Sequence, residues 1–324
     1  MTASASETAG VHKTPVSFLN RRGLRLFGVL EEPAQAPGHR MAVILLSPGV
    51  KMRVGPQGLY RAMTDRLITL GFPVLRFDFF GLGDAEGNLT ESLVRDVYNH
   101  IEVGRFVDDA VDAIDWMQKR CGIESVIVSG LCGGAITGLL AGSRDPRVAG
   151  LLALGITPLL ASKSADPSAY MTAGELQDMR RGYLRKFFKP KAWLRLLTWQ
   201  SDYRVIWRAL LHPTKRRVKP VEAMPAPEND NANPLFPPAF FQMLSANRPM
   251  LFVFGGSDRL RFEFEEKFVA RHQATLATLP ALYDTHVVEH ANHTLSFSAW
   301  QAEMLDVSAR WLQKSFPDTV RTAL

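Results

Sequence analysis

SVIVSGLCGGA, residues 125–135, decides the fold of this chain. Val126, Ile127 and Val128 form a short apolar run rich in β-branched residues, the pattern of a buried strand. Gly130-Leu131-Cys132-Gly133-Gly134 follows, and residues 133–143 then read as a helix. A G-x-C-x-G turn between a strand and a helix is the pattern of a nucleophile elbow, with cysteine where serine is usual. The spacing has a steric cause. The side chain in the middle is carried on a sharp turn, and the residues two before and two after it crowd one another. Both must be small, and Gly130 and Gly134 are. The helix that starts at the turn aims backbone N–H groups and the positive end of its dipole at the sulfur, which favours thiolate over thiol.

Outward from this turn, strands and helices alternate. Residues 16–31 read as two strands around an Arg-Gly turn, and residues 41–46 (MAVILL) as a buried strand. A helix is expected over 58–71, a strand over 73–79, and a glycine-rich loop over 81–87 (GLGDAEG). One long helix is expected over about 95–119, with Val97, Ile101, Val107, Val111 and Ile114 at helical spacing. Residues 148–156 read as the next strand. Alternation of this kind implies a mostly parallel sheet with helices on both faces. It stops at Thr157 and resumes with a strand at 250–254 (MLFVF), a helix, and a last strand at 286–289 (HVVE). The closing helix starts near Ser298, where Ser298 and Gln301 have capping-box spacing. Trp300, Met304, Val307 and Trp311 form its apolar face. Residues 16–156 and 249–318 are therefore expected as one core, 157–248 as an insertion into it, and 1–15 as a flexible N-terminal arm.

Two loops after the elbow supply partners for Cys132. The strand at 250–254 runs into Gly255-Gly256-Ser257-Asp258. The last strand runs into His290-Ala291-Asn292-His293-Thr294. The order nucleophile, acid, histidine is the one an elbow of this kind requires. Asp258 also fits a helix N-cap. Two histidines compete for the role of base: His290 falls at the strand end, and His293 lies in the loop, free to turn back over the sheet edge. Loop placement favours His293. A tetrahedral intermediate needs two N–H donors. Gly133 is the first candidate. Val50, in the Ser47-Pro48-Gly49-Val50 loop after the strand at 41–46, is the second, since Pro48 has no N–H. A metal site at His290 and His293 lacks further ligands at suitable spacing, and no cofactor motif is present.

With 324 residues, of which 46% are hydrophobic and 22% charged, the composition is that of a globular protein without repeats. A strand between Cys121 and Cys132 would hold them about 20 Å apart, too far for a disulfide. Free thiols, together with the lack of an apolar leader or of a transmembrane run, lead us to expect the cytoplasm. The net charge of +6 is unevenly spread. Between Arg180 and Lys219 stand 13 Lys or Arg and a single acid, Asp202, so the rest of the chain is net acidic. A charge confined to one segment argues against general nucleic-acid binding.

At these motifs the chain resembles the α/β hydrolases related to serine aminopeptidase-like esterases and, within them, the exosortase A system-associated hydrolases. The resemblance rests on residues 71–87 (GFPVLRFDFFGLGDAEG), 130–135 (GLCGGA) and 291–296 (ANHTLS), and more loosely on 183–197 (YLRKFFKPKAWLRLL). It extends over about residues 16–312. It departs at Ser47–Val50, where Gly-Gly-Pro is expected, and at Phe80, where arginine is common. The resemblance implies an α/β-hydrolase fold with a helical cap before the last two strands. It also implies an acyl-handling enzyme in which Cys132, His293 and Asp258 form the triad, and Val50 and Gly133 the oxyanion hole. Dienelactone hydrolases and polyhydroxyalkanoate synthases are similar in carrying cysteine at the elbow, so both ester or thioester cleavage and acyl transfer are expected chemistries. Above the strand ends, the insertion should act as a lid. Its Tyr183, Phe187, Phe188, Trp193 and Trp199, mixed with Lys and Arg, suit an ordinary cap with a solvated basic face. They equally suit docking of coenzyme A or an acyl carrier protein, or contact with an anionic membrane surface.

Overall fold

A computed structural model of the protein describes residues 10–34, 40–161 and 231–320. Eight strands form one sheet in the order β1-β2-β4-β3-β5-β6-β7-β8. They are β1 (Val11–Leu19), β2 (Arg25–Pro33), β3 (Met41–Leu46), β4 (Val74–Phe77), β5 (Ser125–Leu131), β6 (Val148–Leu154), β7 (Met250–Gly255) and β8 (Tyr283–Val288). β1 and β2 are an antiparallel hairpin, and β2 runs antiparallel to β4. From β4 through β8 every pairing is parallel. The expected mostly parallel α/β sheet is present.

The apolar runs are continuous because both faces of the sheet are covered. In β3, Ala42, Ile44 and Leu46 join one core cluster while Val43 and Leu45 join the other. The first face carries α2 (Val94–Glu102), α3 (Val107–Cys121), α4 (Gly133–Arg144) and α5 (Phe236–Ser245). The second carries α1 (Leu59–Thr69) and α6 (Ser298–Ser315), whose Met304 and Trp311 are buried as expected.

Four local expectations change. The long helix over 95–119 is two helices, broken at Gly104, whose φ of +100° only glycine adopts without strain. Arg105 N–H donates to His100 O and Gly104 N–H to Ile101 O, a Schellman stop. Asp108 and Asp109 then open α3. β6 ends at Leu154 and not at Ile156, because Gly155 turns at φ +50°. β8 starts earlier, at Tyr283; exposed Asp284 and Thr285 on this edge strand hide it from an apolar-run criterion. No capping box forms at α6: Phe297 is the N-cap, and the Gln301 amide donates instead to Leu295 O.

β1 begins at Val11, within the stretch expected as an arm. Helix α5 lies within the stretch expected as an insertion, yet its Phe236, Phe240 and Met243 sit in the core beside α4. Two segments distant in sequence meet beside this core: Leu159 bridges Ala232, and Leu160 N–H donates to Asn231 O at 2.7 Å. The basic run between Arg180 and Lys219 and its aromatics lie outside the described residues.

Candidate active site

Cys132 sits between β5 and α4 with φ 56° and ψ −115°, a backbone that an L-residue adopts only under strain. The surrounding frame imposes it. Cys132 N–H donates to Leu154 O at 2.9 Å, and Ala135 and Ile136 N–H close the first turn of α4 on Cys132 O. The small residues expected around the turn are needed. A Cβ on Gly130 would lie 2.5 Å from Gly134 C, and one on Gly133 would lie 2.7 Å from Gly49 Cα. Neither contact is attainable without backbone movement.

Asp258 and His293 arrive from the loops after β7 and β8. Asp258 is nearly fully buried and uses both carboxylate oxygens. Oδ1 accepts Leu260 N–H at 3.2 Å and Oδ2 meets His293 Nδ1 at 2.7 Å. The N-cap and the histidine partner are thus one residue in two roles. The Cys132 side chain is near enough to the same imidazole to favour its charged form. Burial alone would push the His293 pKa down, but the Asp258 hydrogen bond and the Cys132 sulfur outweigh it and push it up to about 10. The structure thus brings His293 to Asp258 and places Cys132 near the same ring. His290 is not part of the group; it sits exposed in the turn after β8 at φ 63°.

The loop that carries Val50 meets Gly133 through the neighbouring residue, Gly49. Gly133 opens α4, and Gly49, at φ +60°, packs against it. The loop that carries Val50 is fixed from beneath by a fully buried carboxylate, Asp78. It accepts Arg53 N–H at 2.6 Å and pairs with the Arg53 guanidinium, which reaches Asp84 at 2.7 Å. Tyr60 links the two sides of the site: its hydroxyl donates to Leu46 O at 2.6 Å and accepts Leu131 N–H at 2.8 Å, with no side-chain exposure. Burial raises its pKa, so it stays protonated. Gly155 makes room for the His–Asp pair, since a Cβ there would lie 2.8 Å from His293 Cε1.

Sequence reasoning missed Tyr60, Arg53, Asp78 and Gly155. Only Gly155 carried a local signal, being a glycine at the C-terminal end of a strand. Among the described residues, no group of three or more His, Cys, Asp or Glu is arranged to hold a metal, and no helix is long and apolar enough to cross a membrane.

This frame, with a nucleophile-type turn after β5 and an Asp–His pair after β7 and β8, is that of a hydrolase. The profile of the alpha/beta hydrolase family matches residues 44–307, and the chain belongs to that family. Among solved structures, it is similar to the Pyrococcus furiosus esterase Pf2001, with 15% identity, 94% of this chain and 92% of that one covered, and a TM-score of 0.57. A hypothetical protein of Pseudomonas aeruginosa, PA2218, is similar at 18% identity, 95% of each chain and a TM-score of 0.58. A cold-adapted esterase from an Arctic intertidal metagenomic library is similar at 13% identity, 97% and 98% coverage and a TM-score of 0.53. At these identities the likeness is one of fold. No curated protein matches the sequence.

Proposed function

We propose that this alpha/beta hydrolase is an esterase-type enzyme that cleaves an ester or thioester through an acyl-cysteine intermediate on Cys132. One observation carries the reading: the strained turn at the start of α4 presents Cys132 to a His293 that is held by buried Asp258 and favoured as imidazolium. In this reading the thiol proton rests on His293, and the Cys132 thiolate attacks the substrate carbonyl carbon. The carbonyl π pair moves onto oxygen, where Val50 and Gly133 N–H groups hold it. Collapse expels an alkoxide or thiolate, which takes the proton from His293. The now neutral imidazole removes a proton from water, hydroxide attacks the thioester, and the acid product leaves as Cys132 is restored. Asp258 orients the ring and offsets its charge.

A thioester donor passes its acyl group to cysteine at nearly constant bond energy, so thioesters suit this nucleophile and transfer to an amine or alcohol is open to the same intermediate. The Lys- and Arg-rich run between Arg180 and Lys219 supports an anionic donor such as a coenzyme A or carrier-protein thioester, through long-range attraction. Contact with an anionic membrane surface is the alternative use of that charge.

The test is intact-mass spectrometry after incubation with a panel of acyl esters and thioesters. We expect one acyl adduct, on Cys132, and none in Cys132→Ala. An adduct on Cys121, or an alanine variant that keeps most of its turnover, would overturn the assignment.

A further inference from the structure

The glycine-rich loop at 81–87 closes around a buried carboxylate. Gly83 has φ +54°, and a Cβ there would overlap the Asp78 carboxylate, so only glycine lets the chain pass this close. The next residue, Asp84, donates its N–H to Asp78 Oδ2 at 3.2 Å. Two further donors come from one residue of the facing loop. Arg53 N–H reaches Asp78 Oδ1 at 2.6 Å, and the Arg53 guanidinium pairs with Oδ2 and, at 2.7 Å, with exposed Asp84. Asp78 is fully buried, so its charge depends on these donors, and lifting Arg53 away would strand it.

Two tight turns connect Arg53 to the elbow. Lys51 N–H donates to Pro48 O at 3.0 Å, with Gly49 and Val50 at the centre of that turn. Gly55 N–H donates to Met52 O at 3.1 Å, with Arg53 inside that one. At the other end of the segment, the Ser47 hydroxyl donates to Phe77 O at 2.7 Å. The Gly49-Val50 turn thus hangs between two anchors on consecutive residues, Phe77 at the end of β4 and Asp78 just past it. From there Gly49 packs on Gly133.

We propose that Asp78, acting through Arg53, is a positioning residue for the acyl chemistry: it holds the Gly49-Val50 turn at its working distance from the elbow. This rests on reading Cys132 as the nucleophile and this turn as one side of the oxyanion site. Neither Asp78 nor Arg53 touches substrate in this role. A donor to the oxyanion is effective when it is in place before the charge develops. The Arg53 fork between Asp78 and Asp84, with its own N–H on the same carboxylate, fixes both the height and the direction of the loop. A lysine there would keep the charge and lose the fork.

The test compares the full-length wild type with Asp78→Asn, Arg53→Ala and Arg53→Lys. The substrates are the ester that gives the strongest Cys132 adduct and its thionoester, in which sulfur replaces the carbonyl oxygen. Sulfur is the weaker hydrogen-bond acceptor, so the thionoester draws less on the oxyanion donors. In Asp78→Asn and Arg53→Ala, kcat on the ester should fall on the order of 10-fold with KM within about threefold. The ester-to-thionoester rate ratio should fall with it. Arg53→Lys should lie between these variants and wild type. Acylation and deacylation, followed by intact mass, should slow together, because both pass through an oxyanion. Near-ultraviolet circular dichroism checks folding; where Asp78→Asn unfolds, Arg53→Ala, which keeps the backbone N–H at position 53, decides. Turnover within about threefold of wild type in a folded variant, or a loss shared equally by ester and thionoester, would mean that the pair only supports the fold. Either result would overturn this proposal while leaving the nucleophile intact. Absence of any Cys132 adduct in the wild type would remove both.

Discussion

Replacing Gly155 by alanine tests the site with one methyl group. Gly155 has φ +50°, so any L-residue there costs about 1–2 kcal/mol in backbone strain alone. The added Cβ would stand 2.8 Å from His293 Cε1, 2.9 Å from Nδ1 and 3.2 Å from Asp258 Oδ2. Ordinary contact begins at 3.4 Å, so the imidazole must retreat by about 0.6 Å. It cannot do so and keep both the 2.7 Å bond to Asp258 and its approach to Cys132. A displacement of this order in a reacting group costs on the order of 10²-fold in rate. We expect kcat on an activated ester to fall by about that factor while KM changes little, with the melting temperature lowered by several degrees. Near-ultraviolet circular dichroism would show that the variant folds. A folded Gly155→Ala protein with turnover within about threefold of wild type would refute the reasoning, because the ring would then tolerate the shift.

Three further outcomes follow from the same geometry. His293→Ala should abolish most turnover and His290→Ala should leave it nearly intact, as measured on the same ester; the reverse ranking would exchange their roles. Tyr60→Phe should destabilise the fold by about 2 kcal/mol or more in denaturant titration, because buried Leu46 C=O and Leu131 N–H both lose a partner. Glu102 is nearly buried, and burial together with neighbouring Glu263 pushes its pKa up from 4.5 to about 7, against Ala161 N–H and Arg259. The native state then holds this proton more tightly than the unfolded chain, so the stability it contributes is complete below pH 4.5 and is lost as pH rises through 7. Glu102→Gln keeps an oxygen for Ala161 N–H, and its melting temperature should vary less between pH 5 and 8 than that of wild type; equal slopes would show that other groups govern the range.

The sheet and the elbow were legible because their determinants are local. Strand β5, Gly130, Cys132 and Gly134 lie within a few residues, and the apolar runs of β3 and β7 are unbroken. The order of Cys132, Asp258 and His293 was also readable, since each follows a strand end. What escaped was set by contacts between distant segments. The Tyr60 hydroxyl means nothing until β3 and β5 stand side by side. Asp78 reads as an ordinary loop acid until Arg53 folds over it. The break in the long helix did have a signal, Gly104 followed by Asp108 and Asp109, but the apolar spacing continues across it and masks the stop.

The segments around Leu159 and Ala232, far apart in sequence, close on each other as a neck. Leu159 faces Ala232, Asn233 N–H returns to Pro158 O, and Glu102 accepts Ala161 N–H at 2.6 Å while its own carbonyl takes the Asn233 amide. The two ends are thus fastened to each other and to α2, whatever lies between them. Closing a chain between fixed ends costs only about 0.6 kcal/mol more for each doubling of its length. We therefore expect a change of length between Ala161 and Asn231 to leave this neck in place, and with it the positions of Cys132, His293 and Asp258 in the core.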